Sequence, residues 1–142
     1  MQIVKVKKLN DLAVIPTYAD EGASGFDLYS TQYKSIRAGG SAIVSTGIAF
    51  EIPEGYEIQI RGRSGLAFNE DVIAHFGTID ASYRGEVKVK LFNLGPYRDL
   101  NVEIGDRIAQ GVLAPVERAV FIQDSGLNET ERGVNGFGST GQ

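Results

Sequence analysis

The stretch Tyr56-Glu57-Ile58-Gln59-Ile60-Arg61 decides the fold class. Tyr56, Ile58 and Ile60 fall on every second position, with Glu57, Gln59 and Arg61 between them. Successive side chains of a strand point to opposite faces, so this pattern gives one buried and one solvated face. Two more stretches repeat it. Val87, Val89 and Leu91 alternate with Lys88, Lys90 and Phe92, and Leu100, Val102 and Ile104 alternate with Asn101, Glu103 and Gly105. Further strands are expected over residues 3–7, 42–46, 48–52, 108–113 and 120–122. Turn signals punctuate them: Ala38-Gly39-Gly40, Pro53-Glu54-Gly55, Gly95-Pro96 and Ile104-Gly105-Asp106. No apolar period of 3.6 is sustained, and residues 64–69 offer only one helical turn. The expected class is all-β, a sandwich or jelly roll.

The chain has 142 residues, enough for one domain with its own core. Its 18 glycines exceed the usual share of about 7% and suit short strands joined by tight turns. Net charge is −4, with 14 basic and 18 acidic residues, which disfavours a general nucleic-acid binder. There is no cysteine, so disulfides, thiolate zinc sites and cysteine nucleophiles are excluded. His75 is the one histidine, too few for a multi-histidine metal site. No apolar run has the length of a signal peptide or a membrane span. The expectation is a soluble cytoplasmic protein with no membrane and no nucleic-acid partner. Residues 1–122 are expected to form the domain. Residues 123–142 have five Gly and few large apolar side chains, and read as a mobile arm.

Five polar clusters carry candidate chemistry. In Ala23-Ser24-Gly25-Phe26-Asp27-Leu28, Asp27 opens a strand after a Gly turn. It is either a turn cap or a functional carboxylate. In Gly62-Arg63-Ser64-Gly65-Leu66-Ala67, a guanidinium, a hydroxyl and backbone N–H groups suit a phosphate, or Ser64 is simply an N-cap. In Gly77-Thr78-Ile79-Asp80-Ala81-Ser82-Tyr83-Arg84-Gly85, Asp80 at a hairpin mouth is placed to deprotonate water, and Tyr83 to present a ring to a sugar. The alternative is an ordinary polar turn. In Gly105-Asp106-Arg107-Ile108-Ala109-Gln110, Gln110 is an amide inside an apolar strand, either a hydrogen-bond hub or a water-positioning group. Asp106 and Arg107 read as a surface pair. The last cluster runs from Arg132 to Gly141, Gly-rich backbone beside Ser139, Thr140 and Arg132, with Phe137 as a lone large ring. It is not a Walker loop, since no Lys-Ser/Thr follows the glycines.

Together, in this order and spacing, the five clusters resemble the motifs of the homotrimeric dUTPases, the deoxyuridine 5′-triphosphate nucleotidohydrolases. The resemblance implies a jelly-roll-like β-barrel and a homotrimer with three active sites at subunit interfaces. Each site would be closed by a neighbour's C-terminal arm. The implied reaction is hydrolysis of dUTP to dUMP and pyrophosphate, limiting uracil in DNA and supplying dUMP for thymidylate synthesis. Asp80 is implied as the general base, and Gln110 as a holder of the water and the α-phosphate. Tyr83 would pack under the deoxyribose, and Arg63, Ser64 and Gly65 would bind phosphate from a second chain. Asp27 would lie near the triphosphate and metal and pair with Arg132. Phe137 would cover the uracil, with Gly138, Ser139 and Thr140 around the terminal phosphates. Backbone groups of residues 74–79, among them Ala74, Gly77 and Ile79, would read the base. Mg²⁺ would be held by triphosphate and water, with no direct protein ligand.

Phe92 lies on the polar phase of its strand with Lys88 and Lys90. It either shares the ring over the base or is buried by a loop or a second subunit. His75 is expected to be structural. Two alternatives remain at this stage. A dCTP deaminase shares the barrel and the hairpin, but has a catalytic Glu where this chain has Lys90. A regulatory binding protein on the same fold is the other.

Overall fold

The computed structural model describes residues 1–136. The strands are β1 (Lys5–Lys8), β2 (Phe26–Tyr29), β3 (Lys34–Ile36), β4 (Ser41–Ser45), β5 (Ile48–Glu51), β6 (Tyr56–Arg61), β7 (Val72–Ala74), β8 (Gly77–Ile79), β9 (Lys88–Asn93), β10 (Leu100–Val102) and β11 (Arg107–Pro115). One short helix, α1 (Ser64–Glu70), follows β6. A four-stranded sheet has the order β2-β11-β6-β8, and a three-stranded sheet the order β4-β9-β7. The pairs β1-β5 and β10-β3 are the other sheets among the described residues. Every pairing is antiparallel. One core cluster draws on all four sheets, with Ile58 from β6, Leu91 from β9, Phe50 from β5 and Ile36 from β3. No helix among the described residues is long and apolar enough to cross a membrane.

The alternation holds where it was clearest. Ile58 and Ile60 are buried on β6, and Val89 and Leu91 on β9. It fails at Ile104, which is 52% exposed. The strand stops at Val102 because a turn captures the chain: the Asp106 carboxylate accepts from the Glu103 N–H at 2.8 Å, and the Gly105 N–H donates to the Ser30 carbonyl at 2.8 Å. The strand expected over 120–122 is not formed either. β11 ends at Pro115, and Val120, Phe121 and Ile122 are exposed. Just past β11, the Val116 N–H donates to the Gly55 carbonyl at 2.8 Å. At the other end, Lys5 on β1 sits 2.7 Å from Glu51 on β5. Its hydrogen bond and charge hold the Glu51 carboxyl below the usual carboxylate range. Both groups are exposed, so the pair adds little, and that little is lost as acid protonates Glu51.

A buried amide that the sequence does not flag ties three segments together. Asn93, 2% exposed, ends β9. Its Nδ2 donates to the carbonyls of Ile36 and Arg98 at 3.0 and 2.8 Å, and its Oδ1 accepts from the Gly95 N–H at 3.1 Å. Leucine would match the volume and leave all three partners unpaired, two of the bonds being buried and the one to Arg98 part-buried. Asn93→Leu is therefore expected to destabilise the fold by roughly 3 kcal/mol, read as a lower urea midpoint at fixed protein concentration. A midpoint equal to that of the parent chain would refute the role given to this amide.

Candidate active site

β11 is paired on both edges, and it gathers the first group of site residues. Gln110 stands opposite Asp27 on β2 and Arg61 on β6. The Gln110 Nε2 donates to the Gly62 carbonyl at 2.8 Å, just where β6 gives way to α1. Gly25 leaves room for this amide, since a Cβ there would collide with the Gln110 carbonyl oxygen. Asp27 receives two guanidiniums: Arg63 Nε lies 3.2 Å from one oxygen and Arg107 Nη1 3.5 Å from the other. Arg63 also donates to the Arg107 carbonyl at 3.3 Å. Asp27 and Arg63 are largely sheltered, with side chains 15% and 26% exposed. Ser64 is not an N-cap, because Arg63 occupies that position and no side chain caps the helix. Ser64 and Gly65 are exposed at the first turn.

Arg107 is the residue that sequence reasoning misplaced, as a partner for Asp106. The register shifts between Arg107 and Ala109, so Arg107 faces Tyr29 while Ala109 faces Leu28. The extra residue turns Arg107 onto the face that carries Asp27 and leaves Ile108 and Ala109 buried in succession. A bulge of this kind leaves no trace in apolar alternation. Asp106 instead caps the turn back to Glu103. A cleft of about 440 Å³ opens beside this cluster, lined by Arg63, Leu66, Asn101, Asp106, Arg107 and Ile108 among others.

Asp80 belongs to a different place. It follows β8 and begins a turn closed by the Tyr83 N–H on the Asp80 carbonyl at 3.0 Å. Aspartate is favoured at that first turn position. Tyr83 folds back, and its hydroxyl donates to the Glu86 carbonyl at 3.0 Å. Arg84 braces the turn by donating to the carbonyls of Ala81 and Tyr83. Asp80 borders a cleft of about 770 Å³ that also meets Tyr56, Glu57, Ser82, Arg84 and Arg118.

The register measures the gap between the two groups. Ile79 faces Ile58 on β6, which puts Asp80 level with Glu57, whereas Gln110 is level with Arg61. Four residues of strand separate them, roughly 13 Å at about 3.3 Å per residue, and two strand spacings of about 5 Å add to it. One chain does not bring Asp80 to Gln110 and Arg63.

The remaining candidates fall as follows. Ala74 is buried at the end of β7, and Gly77 and Ile79 line β8 half-buried. His75 is exposed, held through its backbone N–H on the Lys90 carbonyl at 2.8 Å, so its imidazole is not a core group. Phe92 is half-buried between Ser41 and Ile73, with Lys90 Nζ 5.2 Å from its ring centroid. The cation and its stem account for an aromatic on this face. Arg132 donates to the Asn135 carbonyl at 2.9 Å, so its expected meeting with Asp27 does not occur within one chain. Phe137, Gly138, Ser139 and Thr140 lie outside the described residues.

Known proteins match this arrangement over the whole chain. Residues 11–141 match the family model for dUTPase. The chain is 49% identical over 141 residues to the deoxyuridine 5′-triphosphate nucleotidohydrolase of Nautilia profundicola, spanning 98% of this chain and 99% of that one. The protein of the same name from Helicobacter pylori is 46% identical over 140 residues, 97% of this chain and 96% of its own. Among solved structures, the dUTPase of Staphylococcus bacteriophage 80alpha with dUPNHPP superposes with a TM-score of 0.93 at 26% identity, covering 100% of both chains. The jelly-roll-type β fold and the near-complete coverage of the relatives agree, and this chain belongs to the dUTPase family.

Proposed function

We propose that the chain is a dUTP diphosphatase whose active sites close only where copies of it meet. It hydrolyses dUTP to dUMP and pyrophosphate. The observation that carries the assembled site is the gap between Asp80 and the Asp27–Arg63–Gln110 cluster. A general base works within hydrogen-bond reach of its proton, so Asp80 cannot serve a phosphorus held by the cluster of its own chain. A head-to-tail interface that closes on itself puts the Asp80 end of one copy against the Gln110 end of the next. A homotrimer gives three such sites, as the family resemblance implies.

In this site the water oxygen attacks the α-phosphorus in line, and the bond to the β-phosphate oxygen breaks. The electron pair leaves with pyrophosphate, and Asp80 takes the proton from water. Gln110 has its Nε2 engaged by the Gly62 carbonyl, which can only accept, so its Oε1 is the end presented to the water. Arg63, with Ser64 and Gly65, exchanges Asp27 for phosphate oxygens, and Arg132 of another copy adds a second cation. Phe92 already lies beside Lys90, which leaves the uracil cover to Phe137, with Gly138, Ser139 and Thr140 at the terminal phosphates. Residues 74–79 read the base through the backbone, so cytosine would leave buried groups unpaired. A thymine methyl is excluded by space, a weaker barrier of about 1–3 kcal/mol.

Asp27 is the carboxylate nearest the phosphate cluster, and two guanidiniums already engage it. That donor set suits Mg²⁺ carried in by the triphosphate and its waters better than a protein cage. Bound there, Mg²⁺ supplies charge neutralisation for the departing pyrophosphate. The deaminase reading is not favoured: Lys90 sits where it would need a glutamate, and an ammonium cannot shuttle a proton as a carboxylate does.

Pyrophosphate release with Mg²⁺ is expected from dUTP, with dTTP, dCTP and UTP turned over far more slowly. Asp80→Asn should lower kcat by roughly 10²–10⁴-fold with KM little changed. Full turnover in that variant would remove Asp80 as the base. The split site has its own test. Asp80→Asn and Arg63→Ala chains, each inactive alone, are unfolded together and reassembled. About a quarter of the sites should then combine two intact halves, with activity to match. Mixtures as inactive as their parents would place both residues in one chain's site.

A further inference from the structure

We infer that Gly85 sets the preference for deoxyribose over ribose, by keeping clear the space that the Tyr83 ring occupies. The inference rests on the reading above, in which Tyr83 lies under the sugar. Gly85 does not need to be glycine for its backbone. It is not among the residues with positive φ, so its conformation is open to any side chain. The obstacle is the ring. A Cβ at position 85 would stand 2.6 Å from the Tyr83 Cζ and 3.0 Å from its Cε2, well inside carbon–carbon contact distance, and closer still to the hydroxyl.

One partner in this contact is fixed and the other is not. Behind Gly85 the chain is tied down. Val87 N–H donates to the Ile48 carbonyl at 2.9 Å, and Thr46 Oγ1 donates to the Val87 carbonyl. The Glu86 carboxylate accepts from the Gly47 N–H at 3.1 Å. Tyr83, 44% exposed, is held by its turn and by the single bond from its hydroxyl to the Glu86 carbonyl. When a methyl group arrives at position 85, the ring yields and the backbone does not. The hydroxyl then loses the Glu86 carbonyl, and the ring becomes a wall free to rotate. Such a wall no longer excludes a 2′-hydroxyl. Gly85 touches neither sugar nor phosphate in this account and is a positioning residue for Tyr83.

The test compares kcat/KM for dUTP and UTP, read by pyrophosphate release, in the parent chain, Gly85→Ala, Tyr83→Ala and the double variant. Gly85→Ala should reduce the dUTP-over-UTP ratio roughly tenfold or more, while keeping the parent's far-ultraviolet circular dichroism and thermal midpoint within a few degrees. Adding Gly85→Ala to Tyr83→Ala should leave the ratio where Tyr83→Ala alone put it, because the ring through which Gly85 acts is gone. Tyr83→Phe, which keeps the ring and loses its anchor, should fall between parent and Gly85→Ala. An unchanged ratio in Gly85→Ala overturns the inference, as do fully additive effects in the double variant. A Gly85→Ala chain that fails to fold also overturns it, since the space would then serve the fold. A parent chain inert toward dUTP would sink the diphosphatase reading itself.

Discussion

Hydrogen bonding along both edges of β11 is the constraint on which the charged site depends. A strand held on one side can twist or slip, whereas one held on both cannot move without breaking two ladders. β11 pairs with β2 and β6 together, so Gln110, Asp27 and Arg61 form one row across three strands. The bulge at its start adds Arg107 to the same face. Two guanidiniums and a carboxylate would otherwise lose side-chain entropy to hold one geometry at a surface. Here the backbone supplies most of that order, and Gln110 extends it to the Gly62 carbonyl at the mouth of α1.

The same rigidity underlies the proposal that the site is shared between copies. A strand ladder has a fixed rise, so residues four steps apart cannot be drawn together by small adjustments. Asp80 and Gln110 are separated by the very pairings that hold each in place. In the proposed assembly a second copy would close this gap without distorting the sheet, and cyclic symmetry would repeat the closure. The two groups lie at two ends of one sheet, each beside its own cleft, and the proposal reads them as complementary halves.

The parts legible in the sequence were those governed by short-range periodicity. Three apolar residues alternate along β6 and three along residues 87–91, which lead into β9, and each strand formed with its predicted face inward. The turn glycines and prolines marked the β3–β4, β5–β6, β9–β10 and β10–β11 boundaries. β3, β7 and β8 have only three residues each, and no alternation runs past their ends as it does from β10, equally short, to Ile104. Ile104 was misread because a side chain-to-backbone bond from Asp106 ends its strand, and alternation is blind to that. Asp80, Gln110, Arg63 and Tyr83 were named as candidates through motif resemblance. Their division into two groups needed register, which depends on partners distant in sequence. Asn93 and Arg107 were missed for related reasons: an amide among alternating residues looks like any polar position, and a bulge reverses the face without changing composition.

The Arg63–Asp27 pair has a consequence for how the site empties. A cation left bare in a sheltered groove would cling to any polyanion, spent product included. This one has an internal rival waiting 3.2 Å away. In the proposed site, an aspartate this close would reclaim the guanidinium as pyrophosphate loosened its hold, so departure would be a swap between anions. On that proposal the pair would act as a return spring, weakening capture a little and shortening the dwell of what should not stay.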